Sequence, residues 1–233
     1  ISKYKVAILV AIYRCGNFLP GKIDDLLAQT AFNDCEIILL NCQNLDNEKE
    51  SYKDFVSNND NVRAIEYNDY QKLYKTWNDG IKITDSQYLM NSNCDDRLHP
   101  SCIEKLIKAL DRDKDYDIVA ADSYVTDRSN LVWPDWSWHG EIIVQYPYGT
   151  MRPCPLWRRD LYDKYGLFPE LYTISDALMW DKWYKNSVKF LRVPEHLSLY
   201  YHAPGHNLET RLDQTTGRSL RDIDLESLNH ELL

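Results

Sequence analysis

The sequence predicts an α/β fold with a mixed, mostly parallel sheet flanked by helices. Three observations carry this expectation. Two largely apolar runs, KVAILVAI at 5–12 and CEIILL at 35–40, read as strands buried on both faces. Segments with apolar residues at helical spacing alternate with such runs through the first half of the chain. Polar clusters follow the strand runs, at Tyr13–Asn17, Asn41–Asp46 and Asn93–Asp96. Ligands of open α/β sheets bind beyond the carboxyl ends of the strands, so these clusters are expected to share one rim.

Each element has its own signal. After the first strand, Tyr13–Pro20 reads as a loop with a Gly-Asn turn, and Ile23, Leu26 and Leu27 place a helix over 23–29. The second strand runs into the polar turn NCQNLDNEKE, and a helix is expected over 49–57. Strand 61–66 precedes a helix over 73–83, patterned by Leu73, Trp77, Gly80 and Ile81. Strand 88–90 runs into NSNCDDRLHP. Ile103, Leu106, Ile107 and Leu110 share one face of a helix over 101–110. A strand is expected at 116–121. Residues 131–155, rich in Trp, Tyr and Pro, read as long loops and edge strands over a cleft. Short helices follow at 161–165, ended by Gly166, and at 176–183, then a strand at 188–193. The polar tail from Glu209 has Leu220, Ile223 and Leu228 loosely spaced for a helix.

Composition narrows the function. The chain has 233 residues, enough to bury about 70% of its surface in one core without staples. Its formal charge is −9, with 27 basic and 36 acidic residues, the opposite of the balance expected for a partner of nucleic acid. The longest apolar run falls far short of the ~20 residues of a membrane span, leaving only peripheral membrane association open. Six scattered cysteines without a C-x-x-C pair argue against zinc and a disulfide framework, and for a reducing, cytoplasmic compartment.

Four constellations bear chemistry. Asn93-Cys94-Asp95-Asp96 follows a strand, where adjacent carboxylates can hold a hard cation that bridges to phosphate, or form a turn and helix cap. Ser175-Asp176 opens a helix, so Asp176 reads as an N-terminal cap or as a general base at a pocket mouth. His202 and His206 straddle Pro204-Gly205, off any common helix face. They are surface loop histidines, or one of them closes a metal site. Trp157-Arg158-Arg159 suits an anionic or sugar ligand, or a solvated basic helix start.

In this order the motifs resemble the inverting, nucleotide-sugar-dependent glycosyltransferases of family 2, with the Rossmann-like GT-A fold. The resemblance covers about residues 4–208. VAILVAIYRCGNFLPGKIDDLLAQT is similar to the opening strand, loop and helix, and EIILLNCQNLDNEKE to the second strand and its nucleobase turn. LYKTWNDGIKITDSQYLMNSNCDDRLHP resembles the family's Asn-x-Gly-Ile helix, strand and Asp-x-Asp metal motif. CPLWRRDLYDKYGLFPE with ISDALMWDKW resembles the acceptor-side segment, and LSLYYHAPGHN the closing loop. The resemblance implies a GT-A domain over 1–208, with a nucleotide-binding half at 1–100, an acceptor-binding half at 101–208, and a polar tail or helix at 209–233. Ala11, Ile12, Tyr13, Asn41, Cys42, Asn78, Asn93 and Asp95 would contact the nucleotide, and Asp96 and Arg158 the donor sugar. Asp95 and His202 would hold Mn²⁺ or Mg²⁺, and Asp176 would be the catalytic base. The donor would be a UDP-sugar and the acceptor a glycan or glycoconjugate hydroxyl, with a place as one domain of a larger chain left open.

Three motif positions depart from the family. Asn93 replaces the first Asp, Ser175 replaces the Glu before the base, and Cys42 or Asn41 stands where the nucleobase turn has an acid. The last leaves thymidine or guanosine donors open. Trp133, Trp136, Trp138 and Trp157 are candidates for stacking on sugar rings or for core packing. The rival readings are an inactive nucleotide-sugar-binding module and a nucleotidyltransferase. The latter usually has a Gly-rich phosphate loop, whereas Tyr13–Pro20 has a single Gly.

Overall fold

The computed structural model describes residues 2–43, 46–145, 151, 153–203, 212–213 and 216–231. Strands β1 (Val6–Ile12), β2 (Cys35–Asn41), β3 (Val62–Glu66) and β4 (Tyr88–Asn91) are parallel and lie in the order β3-β2-β1-β4. The sheet continues through β8 (Leu156–Arg158), β6 (Ile118–Thr126), β9 (Phe190–Tyr201) and β5 (Arg97–Leu98), with β7 (Ile142–Ile143) also paired to β6. β6 and β9 are parallel, whereas β8, β7 and β5 pair antiparallel with their neighbours. The second half of the sheet is therefore more mixed than the strand–helix alternation suggests.

Helices cover both faces because the central strands are apolar on both. From β1, Val6, Ile8, Val10 and Ile12 join the core beneath α1 (Leu19–Leu27), α2 (Asp46–Ser57) and α4 (Cys102–Arg112). Ala7 and Leu9 join the opposite core, under α3 (Leu73–Ile83), α5 (Asp160–Tyr165) and α6 (Ser175–Lys185). That second core is aromatic. Trp157 is fully buried, with ring centroids 5.6 Å from Trp180 and 6.1 Å from Trp183, so it is a packing residue and not a stacking platform. Gly80 lets α3 lie close on the sheet, since a Cβ there would sit 2.8 Å from Leu9 Cδ2.

Several elements differ from expectation for local reasons. α1 begins at Leu19 rather than 23, because Pro20 sits in its first turn, where its missing N–H costs nothing. β6 runs past Ala121 to Thr126 because its polar residues find partners. Asp122 takes two bonds from Arg192, at 2.9 and 2.6 Å, and Ser123 pairs with Ser198 at 2.7 Å. β9 extends to Tyr201 through Pro194, which is accommodated where the register shifts between Val193 and His196. The polar tail forms α7 (Leu220–Glu231).

A buried charge cluster lies under the strand ends. Lys22, Asp25, Asp96 and Arg97 are all 2% exposed or less. The Arg97 guanidinium donates to the carbonyls of Cys94, Asp96 and Phe18 and to Asn130 Oδ1, and lies 3.9 Å from Asp25. Lys22 Nζ donates to Ser92 at 3.0 Å. Burial pushes the Asp25 carboxyl up to about 6, against the pull of Lys22 and Arg97. All six cysteines are free thiols. Among the described residues no helix is long and apolar enough to cross a membrane.

The raised pKa of Asp25 makes a pH prediction. Between the ordinary value of 3.8 and about 6, the folded chain holds a proton that the unfolded chain releases. The stability this contributes is present at the acid end and is lost as pH rises through the window, by on the order of 3 kcal/mol. Asp25→Asn is expected to flatten the fall in Tm between about pH 4 and pH 6 relative to the parent protein. Parallel slopes in thermal denaturation across that range would show that Asp25 is not the group responsible.

Candidate active site

The carboxyl ends of β1, β2 and β4 open into a cleft of about 280 Å³. Its walls come from segments far apart in sequence: Tyr13 to Phe18, Cys42, the start of α3, Asn93 to Asp96, the start of α6 and the end of β9. Two of the polar clusters expected at one rim are thus brought together whole or nearly so. The turn after β2 contributes Cys42, and residues 44–45 lie outside the described part.

The loop after β1 is held open by α2. Glu48, 3% exposed, accepts a hydrogen bond from the Cys15 amide at 2.6 Å. Arg14 adopts φ 52°, an uncommon conformation for a residue with a side chain, and its guanidinium lies 5.3 Å from the Tyr13 ring. Tyr13 packs against Tyr70, with centroids 4.9 Å apart. The pair forms an aromatic wall of the cleft. Tyr70 escapes sequence reasoning because it sits in a loop without periodicity.

Asn93 and Asp95 are half-buried on the cleft wall, whereas Asp96 is 2% exposed and accepts from the Tyr201 amide at 3.2 Å. Burial, followed by the neighbouring Asp95 charge, pushes the Asp96 carboxyl up from its ordinary value. Cys94 turns inward, donating to the Ala11 carbonyl at 3.2 Å. Among the described residues no group of three or more His, Cys, Asp or Glu side chains converges to hold a metal. The donor set therefore does not make a closed cage. It does match the way Mg²⁺ is commonly held, by one or two carboxylates together with phosphate oxygens, with Asp95 as the protein ligand.

Asp176 lies in the first turn of α6 and faces the cleft. Its Oδ1 accepts from Tyr74 Oη and from the Ala177 amide, both at 2.8 Å. Burial and the Asp176 carboxylate hold the Tyr74 phenol well above its ordinary value, so Tyr74 remains the donor. The loop ahead of Asp176 is fixed from three directions. Tyr74 Oη also donates to the Thr173 carbonyl at 3.1 Å. Asn78 makes a reciprocal pair with the Phe168 backbone, at 2.8 and 3.0 Å. Asp224 on α7, 1% exposed, accepts from the amides of Tyr172 and Thr173 at 2.7 Å and from the Thr173 hydroxyl at 2.8 Å. Asp224 was not among the expected site residues, because its partners lie about fifty positions away in an unremarkable loop.

Other expected site residues sit elsewhere. Ile12 is fully buried against the α1 side of the sheet. Asn41 is fully buried, and its amide donates to Tyr52 Oη at 3.0 Å rather than facing the cleft. Asn78 is spent on the Phe168 clamp. Arg158 pairs opposite Tyr88, at the amino end of β4, and its guanidinium donates to the carbonyls of Tyr116 and Leu110. That is the end of the strand remote from the cleft, so Arg158 does not reach a donor sugar there. His202 is exposed beside Tyr200, with ring centroids 6.0 Å apart, and is not a cleft-lining residue. His206 lies outside the described residues. Ala11, Tyr13, Cys42, Asn93, Asp95, Asp96 and Asp176 do line the cleft together.

Comparison with known proteins agrees with this geometry. The model of the family "Glycosyl transferase family 2" matches residues 7–188. A curated relative, glycosyltransferase GlyG of Streptococcus pneumoniae, is 21% identical over 94% of this chain and 77% of its own. Among solved structures, S. aureus TarS 1–349 in complex with UDP-GlcNAc superposes with a TM-score of 0.71 at 14% identity, over 90% of this chain and 62% of that one. The mannosyltransferase PcManGT of Pyrobaculum calidifontis, in complex with GDP-Man and Mn²⁺, gives a TM-score of 0.66 at 12% identity, over 87% and 58%. The chain spans about 60% of the length of these structural neighbours. With its motifs, its sheet order and its cleft at the strand ends, the chain belongs to glycosyl transferase family 2 and has the GT-A fold.

Proposed function

We propose that the chain is an inverting glycosyltransferase that moves a sugar from a UDP-sugar to a hydroxyl of a glycan or glycoconjugate. The observation that carries this is one cleft lined by both the Asp95 carboxylate and the tethered Asp176 carboxylate. The structural neighbours were captured with UDP-GlcNAc and with GDP-Man, so a nucleotide diphosphate sugar is the ligand class that supports the reading. UDP-sugar is the expected donor, and a thermal-shift screen of nucleotide sugars decides the base through the stabilisation that binding confers.

In this mechanism the Tyr13–Tyr70 wall packs against the base, and Asp95 would hold Mn²⁺ or Mg²⁺ with Asn93 beside it. When bound, the ion supplies electrostatic stabilisation of the leaving diphosphate. Asp176 takes the proton of the acceptor hydroxyl as its oxygen bonds to the anomeric carbon and the bond to the diphosphate breaks. Attack opposite the leaving group inverts the anomeric configuration. Tyr74 and the α6 N-terminus hold the Asp176 carboxylate in place, and the α6 dipole favours its charged form before the proton is taken.

Asp176→Asn is expected to keep the UDP-sugar thermal shift while transfer falls by ~10²–10⁴-fold. Normal turnover in that variant would remove Asp176 from the base role. Asp224→Ala releases the 171–174 loop, so kcat should fall by up to ~100-fold with the UDP-dependent stabilisation retained. Equal kcat in parent and variant would show that α7 does not position the base. Removal of divalent ions with EDTA should abolish transfer and added Mn²⁺ should restore it, while undiminished turnover in EDTA would exclude metal assistance.

A further inference from the structure

A second groove, of about 500 Å³, shares no lining residue with the active-site cleft. Its size falls in the ~300–1,000 Å³ range of small-molecule sites. Of the seven tryptophans in the chain, two are substantially exposed, Trp133 at 44% and Trp138 at 45%, and both line this groove. The other five are 9% exposed or less. Exposing two indoles in one place goes against the burial that such side chains ordinarily gain.

The rings are ordered into two platforms. Trp138 stacks on Tyr124 with centroids 4.1 Å apart and planes 22° apart, and Tyr124 stacks on His196 at 4.4 Å and 11°. On the other side Trp133 meets His99 at 4.3 Å and Trp136 at 5.4 Å, edge to face. Polar groups lie among them without partners. The indole N–H of Trp136, a residue 9% exposed, and Nε2 of His196 make no hydrogen bond with the described residues. The charged groups at the groove, Lys105 and Glu195, are ion-paired with each other, so the lining presents little net charge.

Flat aromatic faces for C–H surfaces, polar side chains at the groove for hydroxyls and balanced charge together fit a neutral sugar. We propose that this groove is a second saccharide-binding site, taking a neutral sugar unit of the glycan outside the donor cleft. The identification of that sugar as part of the acceptor rests on the glycosyltransferase reading above. The loop that carries the tryptophans is tied back to the cleft rim, since Asn130 accepts from Arg97 and donates to the Asn17 carbonyl. A chain reacting in the cleft and anchored in the groove would gain affinity through both contacts at once.

The test is an isothermal calorimetric titration of the full chain, whose signal does not depend on the indoles, with maltopentaose, cellopentaose and chitopentaose. UDP binding is followed separately by thermal shift. A saturable response to at least one oligosaccharide is expected, weakened about tenfold or more in Trp138→Ala and lost in Trp133→Ala/Trp138→Ala, with the UDP shift unchanged. The unchanged UDP shift also shows that the variants are folded. No response from any of the three sugars, or a response that survives both substitutions, overturns the proposal. A concentration-dependent dimer that the double substitution dissolves, with no sugar response, assigns the groove to a second copy of the chain and overturns it too. If the sugar response depends on the tryptophans but no nucleotide sugar binds, the groove stands and the transferase reading falls. The reverse result separates the two in the other direction.

Discussion

Arg97 is the residue on which the architecture of the cleft turns. Its guanidinium is 1% exposed and reaches the loop before α1 at Phe18, the turn after β4 at Cys94 and Asp96, and the 127–139 loop at Asn130. Three connections with no helix or strand to stiffen them are thereby held to one point. A buried cation of this kind is stable only if opposite charge and hydrogen bonds answer it, and Asp25 supplies the opposite charge at 3.9 Å. The same demand explains Gly21. A Cβ there would sit 2.8 Å from Arg97 Nη2, so the first turn of α1 must be bare where it passes the guanidinium.

The opposite wall is organised by neutral and singly charged contacts from distant helices. Tyr74 and Asn78 project from α3, and Asp224 from α7, onto the loop that leads to Asp176. The aromatic core beneath, with Trp157, Trp180 and Trp183 in contact, anchors α6 so that this loop has a fixed end. A general base is useful only when its carboxylate is held within a fraction of an ångström of its task. Here Asp176 is held by Tyr74, and the loop before it by Asn78 and Asp224.

The net charge of −9 takes on a narrower meaning in this setting. Most acidic side chains pair with surface lysines or face solvent, as in Asp79 with Lys75 and Asp160 with Lys164. Three carboxyls lie at the cleft. Asp96 is buried, whereas Asp95 and Asp176 stand in two different environments, one on the open wall and one under a phenol and a helix N-terminus. Two acidic groups in one cleft serve different ends when their surroundings differ in this way.

By itself the sequence determined the parts of this protein that rest on local rules. The apolar runs of β1 and β2 and the one-sided faces of α3 and α4 are legible because burial on a strand or helix repeats with a short period. The order of the motifs was enough to indicate the family, and the polar clusters after the strands enough to place the rim. What only the tertiary structure decided depends on partners remote in the chain. Arg158, read as a sugar contact, is satisfied by carbonyls at the far end of the sheet. Asn41 and Asn78 spend their amides inside the fold. β9 passes through a proline because its neighbour allows a bulge there. Asp224, in a tail with little pattern, braces the loop before Asp176. A hydrogen-bonding group has no period, and its role is set by whichever distant group the folded chain brings within about 3 Å of it.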